Sequence, residues 1–376
     1  MTATAQTYEA ALERVCAETV AKYAPTIDQN GTFPAESIQA LAKAGLLGAL
    51  SSPDCGGMGL GLTGAARVVR RVAEECGSTA MVVTMHYSGV AVLEAHAPAD
   101  VRSGAASGAH LSTLAFSESG SRSHFWAPVS TATEADGAIE LNASKSWITS
   151  AGHATGYVWS SRPLNAEGAS TIWLVPASST GLAVAGPFTG VGLRGNDSSA
   201  VTAAEVSVPR SAMLGSDGEG FGIMINTVLP VFAVLSAACS NGLMAGALRR
   251  TLAHITNTTH SDTGVTLADL PTIRNYVARM QIKADMSEAL LADTVAAITS
   301  QRPDAMLRVL ECKAAAAESA NEVLDLAMRV CGGAAYRREA GVERFFRDAR
   351  AAGVMAPTTD VLYDFIGKAI CGIPLF

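Results

Sequence analysis

The chain has 376 residues, enough for two or three packed units. With 49% hydrophobic and 16% charged residues, much of it must lie in a core or a subunit interface, and a net charge of −7 gives no electrostatic reason to bind nucleic acid or an anionic membrane. Seven cysteines without a CxxC pair argue against zinc, and their odd number and irregular spacing suit the reduced thiols of a cytoplasmic protein.

Residues 1–110 read as an N-terminal helical domain. Thr7 to Lys22 is amphipathic, and Glu9, Glu13, Arg14 and Glu18 interrupt any continuous apolar run of the kind a secretory signal needs. Pro34-Ala35-Glu36-Ser37 opens a helix running towards Ala44. The Gly-rich segment Cys55 to Gly61 leads into a helix over Thr63 to Cys76, and an apolar helix follows over Ser78 to His96. No strand precedes the Gly-rich segment and no acidic ribose partner follows it, which rejects a dinucleotide fingerprint.

Residues 111–215 change character. Short alternating runs at Ala138–Asn142, Thr155–Ser160, Thr171–Val175 and Ala200–Val208, punctuated by turn residues, predict a central all-β domain built as an antiparallel barrel or sandwich. From 216 to 376 the helical period returns over 221–256, 268–301 and 304–331, with short helices to the end, as in a C-terminal four-helix bundle. Phe221 to Leu248 carries no charge and is long enough to span a bilayer. Its Asn226, Pro230, Ser236, Ser240 and Asn241, and the lack of a Lys/Arg cluster on one flank, favour a helix buried in a bundle. The chain is therefore expected to be mostly α with a central all-β domain.

Four local segments in this order resemble the acyl-CoA dehydrogenase superfamily. Leu114-Ala115-Phe116-Ser117-Glu118-Ser119-Gly120-Ser121-Arg122-Ser123 is similar to its first β-domain signature. The resemblance implies that Phe116 and Ser117 bond the pyrimidine edge of FAD, while Ser123 reaches its pyrophosphate or the substrate. Lys145-Ser146-Trp147-Ile148-Thr149-Ser150 resembles the most specific motif, in which Trp147 packs on the isoalloxazine and the Thr149 hydroxyl donates to N5. Gly192-Leu193-Arg194-Gly195 with Val206-Ser207-Val208-Pro209 resembles the strand pair closing the β domain. Gly332-Gly333 followed by Arg347-Asp348-Ala349-Arg350 resembles the turn that contacts the adenosine of a neighbouring subunit's flavin, then the run before the catalytic loop. A shared flavin site and a hydrophobic chain imply a homodimer or homotetramer, and a flavin enzyme implies an electron acceptor.

The departures matter as much. The family's α-proton abstraction needs a carboxylate base. Its usual position falls on Ala356, and the alternative on the long bundle helix falls on Phe232. Both are apolar, while Thr358 is retained and would face the flavin. Asp360, Asp364 and Glu118 remain as candidate bases, each better read as a cap, a solvated charge or a structural partner. The family's Arg-bearing diphosphate segment is replaced by Thr258-Thr259-His260-Ser261-Asp262, and Arg122 is a candidate substitute cation, with a surface ion pair as the equal alternative. His86 is read as a satisfied core histidine, with a substrate-pocket role as the competing reading.

The run from Ala356 to Lys368 resembles the dehydrogenase-like enzymes that make methoxymalonyl-, hydroxymalonyl- or aminomalonyl-carrier protein, with the overall likeness greatest to the aminomalonyl-forming branch. That implies an acyl carrier protein bearing the substrate, and oxidation of a seryl or glyceryl-type alcohol or aldehyde, with Arg122, Phe232, Ala356 and His86 as candidate substrate contacts. An acyl-CoA desaturase with a relocated base, a flavin monooxygenase and a flavin-free relative are the competing readings.

Overall fold

A computed structural model describes residues 3–121 and 124–375. Among these residues six α-helices come first: α1 (Ala3–Val15), α2 (Ala21–Asn30), α3 (Ala35–Lys43), α4 (Gly61–Ala73), α5 (Gly77–His96) and α6 (Ala99–Ser107). A π-helical turn, Cys16–Val20, joins α1 to α2, so the first helix outruns the amphipathic stretch by eight residues. Cys76 opens α5 by accepting the Thr79 amide proton on its sulfur. The helix is apolar on nearly every face, and it is buried accordingly.

Among the described residues eight strands follow: β1 (Ser112–Ala115), β2 (Thr131–Ala135), β3 (Ala138–Ile148), β4 (Gly156–Ser161), β5 (Thr171–Pro176), β6 (Leu182–Val184), β7 (Ser199–Val208) and β8 (Met213–Leu214). They form two four-stranded sheets, ordered β1-β4-β5-β8 and β2-β3-β7-β6. Trp159, Trp173, Leu141, Val201 and Val206 belong to one buried cluster drawn from both sheets. One detail corrects the antiparallel expectation: β1 pairs with β4 in parallel. The β2–β3 hairpin lies between them in sequence, and such a crossover brings the second strand back in the same direction.

The rest is helical: α7 (Gly220–Ile223), α8 (Leu229–Asn257), α9 (Pro271–Thr299), α10 (Ala305–Cys331), α11 (Val342–Val354) and α12 (Thr359–Cys371). A π-helical turn, Met224–Val228, makes α7 and α8 one continuous rod. α8 packs against α4, α5, α9, α10 and α11, so the helix apolar enough to cross a membrane is a core helix here. Gly242 and Gly246 let α4 come close: a Cβ at either position would collide with the carbonyl of Arg70 or Glu74.

Candidate active site

A cavity of about 630 Å³ opens where the β sheets meet α8 and the end of α11. Its walls are mostly apolar, with a strip of polar groups from Ser117, Ser119, Ser146, Thr149, Asn196 and Ser198.

The strip begins at the end of β1. Phe116 is buried, and the Ser117 carbonyl accepts the Ser146 amide proton at 2.9 Å. That bond docks the Phe116–Ser119 segment on β3. Beneath it, Lys145 donates to Glu118 (2.5 Å), to the Ser160 carbonyl (2.7 Å) and to the Ser160 hydroxyl (3.0 Å). Glu118 also accepts the Val129 and Ser130 amide protons. Burial alone would raise the Glu118 carboxyl, but Lys145 and these donors outweigh it and hold it below the usual range. Burial lowers the Lys145 amine to about 8, against the pull of Glu118.

The end of β3 then breaks register with β7 between Lys145 and Ile148. At this bulge Trp147 takes φ +59, a left-handed conformation that is costly for a bulky residue and is held by the flanking pairs. The distortion turns the indole out of the sheet. Trp147 is 72% exposed, lines the cavity, and meets Phe188 edge-on at 6.5 Å. Thr149 is buried, with its hydroxyl 3.1 Å from that of Ser198.

The facing wall comes from the helices. Phe232 on α8 and Ala356 after α11 both line the cavity and pack against the same buried cluster. The Gly192–Leu193 loop closes one side. Its Leu193 amide donates to Asp348 on α11 at 2.6 Å, and Gly192 lies so close to the Arg347 carbonyl that no Cβ fits. Burial raises the Asp348 carboxyl to about 7, despite the Leu193 amide and Arg344.

Phe116, Ser117, Trp147, Thr149, Phe232 and Ala356 are thus brought to one cavity. Gly332 and Gly333 are not: they end α10 in open surroundings. Thr358 is the N-cap of α12, accepting from the Val361 amide at 3.5 Å, and it is not among the cavity-lining residues. Arg122 and Ser123 lie outside the described residues.

His86 requires a correction as a substrate contact. It is fully buried, its Nδ1 accepts the Ser112 amide proton at 3.2 Å, and its Nε2 lies 3.2 Å from the Leu47 carbonyl. Those two partners leave only the neutral Nε2–H tautomer, and neither nitrogen faces the cavity. Burial pulls this imidazole down to about 4. Of the other acids, Asp364 pairs with Lys368 at 3.1 Å and Asp360 is exposed in the first turn of α12.

Two residues escaped the sequence reading. Asn196 is buried in the wall with its Oδ1 lacking a partner among the described residues, and only its place just after the Gly192–Gly195 segment hinted at it. Lys313 on α10 is buried beneath the wall. Its signal was legible: Val309, Leu310, Ala316 and Ala317, at helical spacing around it, put a lysine on the apolar face.

The chain matches three family models: "Acyl-CoA dehydrogenase, N-terminal domain" over residues 2–103, "middle domain" over 113–206 and "C-terminal domain" over 218–371. It is 26% identical over 350 residues to the probable acyl-CoA dehydrogenase YngJ of Bacillus subtilis, covering 91% of each chain. Among solved structures it is similar to butyryl-CoA dehydrogenase from Megasphaera elsdenii, with a TM-score of 0.92, 20% identity and 99% of each chain covered. It is also similar to the prolyl acyl carrier protein oxidase AnaB (TM-score 0.89, 16% identity, 98% of this chain and 99% of that one). A structure of PigA with FAD and proline aligns comparably (TM-score 0.88, 19% identity, 99% and 98%).

Proposed function

The chain belongs to the acyl-CoA dehydrogenase family of flavin-dependent oxidoreductases, and from that premise we propose that it oxidises a small acyl unit tethered to a carrier protein, of the seryl or glyceryl type, towards an aminomalonyl- or hydroxymalonyl-carrier protein. The observation that carries this reading is the chemistry of the cavity wall. Both positions where a base would sit, Ala356 and Phe232, are apolar. Among the described lining residues the one carboxylate is Glu118, and Lys145, Val129 and Ser130 already engage it. Removing a weakly acidic α-C–H needs such a base; losing a hydroxyl proton while a hydride departs from the same carbon does not, because water can take it.

The residues present fit FAD. Asn196 offers a buried Oδ1 with no partner among the described residues, Trp147 presents an open indole face, and the polar strip can match the alternating donors and acceptors of a flavin edge. When bound, the flavin supplies the hydride acceptor. Trp147 and Phe188 would orient the ring, Phe116 and Ser117 would border its polar edge, and the Thr149–Ser198 hydroxyl pair would offer a proton donor at the reacting end. Phe232 and Ala356 would pack against the apolar part of the acyl unit.

Support also comes from the carrier-protein oxidase AnaB, which shares this fold. The curated relative YngJ favours a second reading, α,β-desaturation of an acyl-CoA. We read the assembly as a homodimer or homotetramer of a cytoplasmic enzyme that passes its electrons to a separate acceptor. One experiment separates the readings: the visible spectrum of the purified protein under anaerobic conditions. Bleaching of the flavin band by seryl-loaded carrier protein with its partner alcohol dehydrogenase, and not by butyryl-CoA, is the expected result. Robust bleaching by butyryl-CoA overturns it.

A further inference from the structure

The apolar end of the cavity has a charge behind it. Lys313 is 1% exposed, and its Nζ lies 5.8 Å from the centroid of the Phe232 ring, itself part of the cavity wall. The same nitrogen donates to the carbonyls of Ala352 (3.3 Å), Met355 (3.0 Å) and Pro357 (2.9 Å). The last two carbonyls flank Ala356, so Lys313 pins the turn that presents Ala356 to the cavity. Three acceptors use all three protons of an ammonium; a neutral amine has only two to give.

Among the described residues no acidic side chain balances that charge. The adjacent Cys312 thiol, pushed up to about 12 by burial, is neutral. Glu311 on the same helix pairs with Arg308. The rod of α7 and α8 carries no charged side chain from Phe221 to Leu248. On α11 the Asp348 carboxyl is turned to the Leu193 amide, and on α12 Asp364 pairs with Lys368 while Asp360 is exposed. Carbonyl dipoles satisfy the N–H bonds but leave the net charge standing. In such a poorly solvated place the field reaches across a ring's thickness with little screening.

We propose that Lys313 is a specificity-determining residue: its uncompensated ammonium anchors the Ala356 turn and makes this end of the cavity electropositive, favouring the negative charge that appears at the far end of the acyl unit as it is oxidised to a carboxylate. The inference rests on the reading that a short acyl unit occupies this cavity. A malonyl-type carboxylate, formed on the carbon β to the thioester carbonyl, has that charge. An unbranched acyl chain has none.

The test is calorimetric titration of the flavin-loaded protein at pH 6, where Lys313, lowered to about 7 by burial, is protonated. The probes are malonyl-pantetheine and acetoacetyl-pantetheine, which differ by a methyl in place of the carboxylate oxygen. The parent should bind the malonyl thioester about tenfold or more tighter, a difference well within reach of one poorly screened charge. Lys313→Met, with melting curves to confirm folding, should bring the two affinities within about twofold, and Lys313→Arg should keep the preference. Equal affinities in the parent overturn the proposal even if Lys313→Met does not fold, and so does an undiminished preference in a folded Lys313→Met. An anion preference without flavin bleaching by the carrier-bound unit would instead count against the proposed reaction, so the two failures are distinct.

Discussion

Lys145 and Glu118 form a buried ion pair, Nζ to Oε1 2.5 Å, two residues before the Trp147 bulge. The pair cross-links the loop after β1 to β3, and Lys145 extends the link to β4 through Ser160. Glu118→Gln leaves the ammonium without its counter-charge. The expected loss is about 3–5 kcal/mol, as for other buried pairs broken from one side. It should appear as a fall of several degrees in Tm and weaker flavin retention. A fully stable Glu118→Gln that had lost only turnover would make Glu118 a catalytic base after all.

On the proposed function Thr149 and Trp147 would border the reacting end of the flavin, and the structure lets chemistry be separated from folding there. The Thr149 hydroxyl bonds only the Ser198 hydroxyl among the described residues, and the indole is largely exposed. Thr149→Ala should therefore slow flavin reduction by the equivalent of about 1–3 kcal/mol with a small change in Tm. Thr149→Ser should restore most of the rate. Stopped-flow reduction at the parent rate in both Thr149→Ala and Trp147→Ala would remove this assignment.

His86 gives the fold an acid limit. Its imidazole falls from 6.5 in the unfolded chain to about 4 in the folded one, because burial disfavours the cation. Between those values the unfolded chain binds more protons, so stability is full above pH 6.5 and declines as the pH falls towards 4. The loss from this one group is on the order of 3 kcal/mol. His86→Gln can accept from Ser112 and donate to Leu47 without titrating, so it should flatten the decline. Unfolding followed from pH 7 to 4 in both proteins checks the difference.

Gly242 sets the distance between α4 and α8. A methyl group there would strike the Arg70 carbonyl, which is backbone and cannot swing aside. Gly242→Ala should cost about 1–3 kcal/mol despite the gain in helix propensity, and Gly242→Val more. A raised Tm in Gly242→Ala would show that the two helices separate freely.

What could be read in the sequence was what periodicity and short motifs encode. The helical stretches of α5 and α8 through α10 announced themselves by their spacing, and the Lys145–Ser150 run marked the strand end that carries Trp147 and Thr149. The parallel β1–β4 pair could not be read, because it depends on which distant strands meet. Nor could the outward turn of Trp147, which is made by a bulge against β7. His86 illustrates a different limit: its two partners, Ser112 and Leu47, are 26 and 39 residues away, so only the folded chain decides between core and pocket. Lys313 was visible as a lysine among alanines, but its importance lies in carbonyls 39 to 44 residues further on.

The bulge that exposes Trp147 also gives the protein a built-in optical gauge. Of its four indoles, those of Trp159 and Trp173 are sealed in the β core and that of Trp126 is half-buried, so Trp147 alone stands open to solvent. A collisional quencher such as acrylamide reaches this one fluorophore first. Anything that settles against the indole shields it, so the quenchable fraction of the emission reports how much of the protein is loaded, without a label or an assay of turnover.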